Sequence, residues 1–347
     1  MITIAGRAVG AGHPPFVVAE MSGNHDGSLQ RALAIVDAAA DAGAHAVKLQ
    51  TYRPDTITVN ADGPAFRLGD GHPLWGGARL YDLYERAHTP WEWHEPIFAR
   101  ARQRGLAAFS SPFDPTAVEL LEKLDVPAYK IASSEIVDLP LIRLAAATGK
   151  PLILSTGMAS AGEIDAAMRT AREAGCAQLA VLACTASYPA DPAESNLRSL
   201  PLLAGLTGAV VGVSDHTPGL GAALAAVALG ACLIEKHVTL DRRGGGVDAA
   251  FSLEPGELAA LVTESGRAWE ALGRPELGPR PSEREGLRFR RSLYVVRDVR
   301  AGEPVTDSNV RSVRPAGGLP PAALAEVTGR RFTRDVPLGT PLTWDLV

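Results

Sequence analysis

Eight short apolar runs each end in polar or charged residues: FVVAEM, HAVKLQT, LAAFSS, AYKIAS, PLILST, QLAVLAC, AVVGVSDH and CLIEKH. A helix-like segment follows each run, except that a long irregular stretch follows the second. Eight strand–helix units in succession predict an α/β fold, a (β/α)8 TIM barrel whose C-terminal strand ends open into one shared mouth. In that fold Glu20, Lys48, Gln50, Ser111, Lys130, Ser133, Ser155, Ser214, His216 and His237 converge on one pocket.

The segment through Pro15, rich in Gly and Pro, is expected to cap the barrel bottom. Ser28 is an N-cap for a helix that carries Leu29, Ala32, Leu33, Val36 and Ala40 on one apolar face, and Gly43 ends it. An insertion spans 52–90 and contains Pro54, Pro64, Gly69, Gly71, Pro73, Gly76 and Gly77. Loops of that length in compact domains are usually functional, and one that follows a strand lies over the mouth as a lid or a substrate-discriminating wall. The last barrel helix runs from about Pro255 to Leu272, and Gly273, Pro275, Gly278, Pro279 and Pro281 break the chain after it. A texture of short strands and turns begins near Leu293. The expected division is a barrel over 1–272, a linker over 273–288 and a small β-rich domain over 289–347. That last segment is small for an independent core, so it is expected to pack on a barrel, its own or a partner's.

The 347 residues suffice for a barrel of about 250 plus a small domain. A net charge of −5, with no basic patch interleaved with aromatics, argues against nucleic acid as a partner. Cys176, Cys184 and Cys232 are odd in number and widely spaced, which suits buried reduced thiols rather than a disulfide framework or a metal site. No secretory leader pattern and no apolar run of about 18 residues occur, so the expected setting is cytoplasmic, without a membrane partner.

His216 (in SDHT) and His237 (in EKH) end the seventh and eighth strands, neighbours in a closed barrel. Two neutral imidazoles there suit one divalent metal with sites left for water and substrate; hydrogen-bonded mouth residues without a metal are the alternative. Lys48, Lys130 and Lys236 also lie at strand ends. Such lysines form a Schiff base or neutralise phosphate and carboxylate, and the nearby Ser111, Ser133 and Ser155 favour an anion pocket. Strand alternation puts Lys48 and Gln50 on one face. Glu20 and Glu135 suit acid–base work or structural ion pairs. Asp248, in GGGVDAAFS, is within reach of substrate hydroxyls; this glycine run lacks the strand-to-helix context of a nucleotide loop.

Taken together, AEMSGNHDGS, VKLQTY, SSPFD, PAYKIASSE, ILSTGM, CTASYP, SDHT, EKH and RRSLYVV resemble the sialic acid synthase family over nearly the whole chain. LYDLYERAHTPWEWH, FRRSLYVV and VRPAGGLPP resemble its pseudaminic branch more than its N-acetylneuraminate branch, with a sister synthase acting on N-acetylmannosamine or the legionaminic precursor as the nearest alternative. The resemblance implies condensation of phosphoenolpyruvate with an N-acylated amino sugar, 2,4-diacetamido-2,4,6-trideoxy-L-altrose for that branch. Water is consumed and phosphate is released through C–O cleavage. It also implies Mn2+ or Mg2+, and a domain-swapped homodimer in which an antifreeze-like (SAF) domain closes the partner's barrel. By the same resemblance His216 and His237 hold the metal, with His216 also counted as catalytic. Lys48, Ser111, Lys130, Ser133, Ser155 and Ser214 hold phosphoenolpyruvate. Glu20 and Glu135 handle protons and water, without a division of labour between them. Gln50, Tyr188 and Asp248 contact the sugar, Arg314 reaches the neighbouring subunit's substrate, and Phe289 adds an apolar contact there. Ala186 departs from the family's polar residue in CTASYP. A class I aldolase using Lys130 or Lys236 and pyruvate is the mechanistic rival.

Overall fold

The computed structural model describes residues 1–71 and 74–347; Pro73, counted above in the insertion, lies outside the described residues. The chain divides into two compact units, Met1–Gly273 and Arg274–Val347.

The first unit opens with a hairpin, β1 (Ile2–Ile4) and β2 (Arg7–Val9), that buries Ile2, Ile4 and Val9. Thr3 N donates to Gln178 Oε1, ahead of a barrel strand, so the hairpin plugs the N-terminal end of the barrel. Eight parallel strands then close on themselves: β3 (Phe16–Glu20), β4 (Ala46–Thr51), β5 (Ala107–Pro112), β6 (Tyr129–Ile131), β7 (Leu152–Ser155), β8 (Leu179–Cys184), β9 (Val210–Asp215) and β10 (Leu233–His237), with β10 pairing β3. The barrel predicted from the eight apolar runs is the observed fold.

The outer helices are α1 (Leu29–Asp41), α4 (His94–Gln103), α5 (Pro115–Lys123), α6 (Leu139–Ala146), α7 (Ala161–Glu173), α8 (Leu200–Thr207), α9 (Gly221–Ala228) and α10 (Pro255–Leu272); α2 and α3 belong to the insertion. Their starts are set by local chemistry. Ser28 Oγ accepts from Arg31 N, Asp114 accepts from Thr116 N and Ala117 N, and Ser160 and Glu163 form a reciprocal capping box. Helix α1 buries Ala32, Ile35, Val36 and Ala39 against the strands, and Gly43 after it takes a positive φ of 79°.

The insertion is not irregular throughout. Pro54–Ile57 forms one helical turn, α2, and Leu80–Ala87 forms α3. Arg79 binds Asn60 and Asp62 across the insertion at 2.7 and 2.8 Å. Tyr52 meets Tyr84 and Phe113 edge-on, with ring centres 5.6 and 5.3 Å apart. Trp75 Nε1 donates to the Val247 carbonyl at 3.2 Å, which ties the insertion to the loop after β10.

The second unit pairs β11 (Ser292–Val295) with β12 (Val310–Val313) and holds the short helix α11 (Leu324–Val327). Leu293, Val295, Val299, Val310, Val327, Phe332 and Leu342 are buried within an apolar cluster of its own. A core was not expected from its length; the many backbone bonds between its turns let a short segment enclose one.

Gly212 marks how tightly β9 and β10 approach. A Cβ there would lie 2.2 Å from the Leu233 carbonyl oxygen and 2.8 Å from Leu182 Cδ2. Backbone cannot yield as a flexible side chain can, so Gly212→Ala should destabilise the fold by about 3 kcal/mol, read as a lowered urea midpoint.

Candidate active site

Strand alternation decides which side chains reach the barrel interior. On β3 and β4, Glu20 and Lys48 are register partners, and Lys48 Nζ lies 2.5 Å from Glu20 Oε2. Lys48 also donates to Ser111 Oγ on β5 at 3.2 Å. A second carboxylate completes the group. Glu235 Oε1 stands 3.7 Å from Lys48 Nζ and 3.8 Å from Lys130 Nζ, and accepts from Ser214 Oγ at 3.0 Å. Glu20, Lys48, Lys130 and Glu235 are each at most 4% exposed. Charges this deep persist because they neutralise one another.

Glu235 was missed in the sequence, although a signal existed: period two from His237 points Glu235 inward. The same alternation sends Lys236 the other way, which corrects its expected place in the anion pocket. Lys236 Nζ binds Asp215 Oδ2 at 3.0 Å and the Thr217 carbonyl at 2.5 Å, outside the mouth. Two lysines, not three, face the pocket.

Ser133 and Ser155 lie on the neighbouring staves. Ser133 Oγ accepts from Gly157 N at 3.1 Å, while the buried Ser155 Oγ has no hydrogen-bond partner among the described residues. Gly157 is hemmed in by Ser133 and Ala186: a Cβ at 157 would sit 2.8 Å from Ser133 Oγ and 2.9 Å from Ala186 Cβ. Ala186 therefore stands beside the serines, where its methyl offers no hydrogen bond.

One layer above Lys48 on β4, Gln50 opens onto a cavity of about 430 Å3. Ser133, Glu135, Tyr188, His237 and Asp248 also line it. The far wall is apolar and comes mostly from the insertion, through Ile57, Leu68, Leu80 and Leu83, with Phe113 beside them. Ser22 and Tyr52, unassigned from sequence, line it as well, each two residues past an inward-facing strand-end residue, Glu20 and Gln50.

The two imidazoles meet at the rim. Their ring centres are 5.2 Å apart, with Tyr188 4.3 Å from His216 and Phe251 5.0 Å from His237. His216 Nδ1 donates to the Thr185 carbonyl at 2.9 Å, which leaves Nε2 as the lone-pair nitrogen. Among the described residues the buried His237 Nδ1 has no hydrogen-bond partner; it stands 3.6 Å from Asp248 Oδ2. Burial lowers the pKa of both rings, so both stay neutral at pH 7. Neutral imidazoles with free lone pairs fit a divalent metal. Among the described residues no group of three or more His, Cys, Asp or Glu is placed to hold a metal ion.

The carboxyls divide by environment. Burial raises Glu20 to about 7 against the opposing pull of Lys48. Glu235 stays low: burial would raise it, but Lys130 and Lys48 outweigh that. Burial also raises Glu135 to about 7, and its Oε2 has no hydrogen-bond partner. Asp248 rises to about 6 by burial, opposed by a short hydrogen bond from Ser22. Carboxyls that titrate near neutrality beside a cavity suit proton transfer.

Cys184, Cys176 and Cys232 are free thiols. Phe289 and Arg314 lie exposed on the second unit.

A family profile described as the NeuB family matches residues 35–276, and a SAF domain profile matches 290–347. A pseudaminic acid synthase of Campylobacter jejuni is 42% identical over 94% of this chain and 95% of its own length. One from Helicobacter pylori is 40% identical over 96% of this chain and 97% of its own. The crystal structure of an N-acetylneuraminic acid synthetase from Leptospira borgpetersenii superposes with a TM-score of 0.73 at 34% identity, covering 82% of this chain and 94% of that one.

A carboxyl whose pKa is higher folded than unfolded costs stability as pH rises from the ordinary carboxylate range through the folded value. Glu135→Gln removes that cost. Relative to the parent protein, the variant should gain about 2 kcal/mol between pH 5 and pH 8; equal differences in urea stability at the two pH values would contradict the raised Glu135.

Proposed function

The chain belongs to the NeuB family and carries a C-terminal SAF domain, and on that premise we propose that it condenses phosphoenolpyruvate with 2,4-diacetamido-2,4,6-trideoxy-L-altrose and water, giving a nine-carbon sialic-acid-like sugar and phosphate. It is a phosphoenolpyruvate-condensing nonulosonate synthase, the activity class of its pseudaminic relatives. One juxtaposition carries the reading: a buried lysine–serine cradle lies beneath a cavity that is polar on one side and apolar on the other. The apolar wall suits an acceptor with acetamido methyls and a deoxy carbon 6 better than one with a polyhydroxy tail. The same wall disfavours the hydroxylated acceptor of an N-acetylneuraminate synthase, whereas the legionaminic acceptor, with the same acetamido and deoxy groups, differs from the altrose only in stereochemistry.

In this reading Lys48, Lys130, Ser111, Ser133, Ser155 and Ser214 hold the phosphate and carboxylate of phosphoenolpyruvate. Gln50, Tyr188 and Asp248 orient the sugar, with Ser22 steadying Asp248. His216 and His237 would hold Mn2+ or Mg2+, which supplies Lewis-acid polarisation of the acceptor aldehyde. A C–C bond forms between the phosphoenolpyruvate methylene carbon and the aldehyde carbon, whose oxygen takes a proton. Water adds to the former enol carbon and loses a proton to the protein. Glu20 and Glu135, both titrating near neutrality, are the proton carriers. The C–O bond to the bridging oxygen breaks as the added hydroxyl gives up its proton and becomes the keto oxygen, and phosphate leaves with the bridging oxygen and that proton. The aldolase alternative loses Lys236, which is turned away from the mouth, and its remaining lysine, Lys130, faces Glu235.

The division into barrel (1–272), linker (273–288) and SAF domain (289–347) is part of the proposal, as is a domain-swapped homodimer in which Arg314 and Phe289 serve the partner's site. Charge favours it: the first unit carries 21 Lys and Arg against 30 Asp and Glu, the second 13 against 9. Opposite net charges attract a second unit to a barrel. Among the described residues no helix is long and apolar enough to cross a membrane, and a cytoplasmic site of synthesis fits phosphoenolpyruvate as substrate.

Phosphate release should be fastest with the diacetamido-trideoxy altrose in a panel that includes N-acetylmannosamine and the legionaminic precursor; preference for either of those reassigns the acceptor. Oxygen-18 in the phosphoenolpyruvate bridge should leave with phosphate. Chelation should abolish turnover and Mn2+ should restore it. Arg314→Ala should cut turnover at least tenfold without unfolding the barrel. Mixing it with a Lys130→Met protein should recover activity if Arg314 acts across subunits.

A further inference from the structure

No step of the proposed reaction uses Glu235. It faces both ammonium groups of the cradle. Its Oε1 lies 3.7 Å from Lys48 Nζ and 3.8 Å from Lys130 Nζ, and accepts a hydrogen bond from the Ser214 hydroxyl at 3.0 Å. A phosphoryl group arriving in this cradle needs those same donors. Resting on the phosphate-cradle reading above, we infer that Glu235 is a resident counter-anion that weakens the cradle's hold on inorganic phosphate, so that the product leaves and free phosphate does not block the site.

The argument is one of charge count in a dry place. Two buried ammonium groups face two buried carboxylates. Glu20 is committed to Lys48 at contact distance, whereas Glu235 stands back from both lysines by more than a hydrogen bond. It therefore neutralises the cradle without closing it. Without Glu235 the cradle would hold a net positive charge shielded from water, where a dianion is bound far more strongly than in a neutral one. Phosphoenolpyruvate can outbid the carboxylate, because its own carboxylate and its reacting carbons find further contacts that inorganic phosphate lacks. The side chain thus penalises product more than substrate, a specificity built from a repulsive group.

A purely structural Glu235 would act in the opposite sense. If it served only to hold Lys48, Lys130 and Ser214 in place, its loss would scatter the donors and weaken anion binding. Calorimetric titration of inorganic phosphate into the full-length protein separates the two. Glu235→Gln should bind phosphate at least tenfold more tightly than the parent, with a matching fall in the inhibition constant of phosphate against phosphoenolpyruvate. Glu235→Asp, which keeps the charge, should stay within about threefold of the parent. Glu235→Met, neutral and of similar length, should tighten binding as Gln does, and stands in if the Gln variant does not fold. Unchanged or weaker phosphate binding in the folded neutral variants overturns the inference. Lys130→Met tests the cradle itself: if it binds phosphate as the parent does, phosphate sits elsewhere and both readings fall.

Discussion

Four charges at the mouth of the barrel, Glu20, Lys48, Lys130 and Glu235, hold the site together by cancelling one another. None is exposed enough to be hydrated as it would be on the surface. The two lysines hold Glu235 ionised while burial leaves Glu20 titrating near neutrality, and each of the four comes from a different strand. Their separation is therefore fixed by the register of the closed sheet rather than by any loop. Desolvation is the cost, and an interior in which a small shift of charge has a large effect is the return.

The strands can bring these groups so close because the sheet has no free edge and little slack. Gly212 lets the β10 backbone press against β9, and one step up the same face Ser214 meets Glu235. Below that layer the barrel is filled by apolar residues such as Val18, Phe109, Ile153 and Leu182. Above it lie the imidazoles and the cavity. The barrel thus runs from oil at the bottom through a paired-ion layer to a half-polar basin, and the order follows from which strand residues point inward.

Most of this order was legible in the sequence. The apolar runs were long enough to mark every barrel strand, and their polar ends marked the mouth; Lys48, Lys130, Glu20, Ser111, Ser214, His216 and His237 meet there. The error at EKH came from reading a strand end as a block. A strand shows its two faces alternately, so adjacent charged residues cannot share a pocket, and Lys236 and Glu235 exchange places accordingly. The order in the insertion was hidden for another reason. Glycine and proline at its ends obscure the eight-residue helix α3, whose apolar side is stabilised by the cavity wall it helps to form. The apolar core of the second unit was equally hard to foresee, since its strands are short and its turns are joined largely by backbone bonds.

The far wall of the basin is written almost entirely in one continuous stretch of chain, while the groups beneath it are dispersed over seven staves. Under the proposed reading, the apolar surroundings of the acceptor and the bond-making groups are encoded in different places. On that reading, edits within one stretch of chain would reshape the apolar wall and leave in place an ionic lattice that takes the whole barrel to assemble.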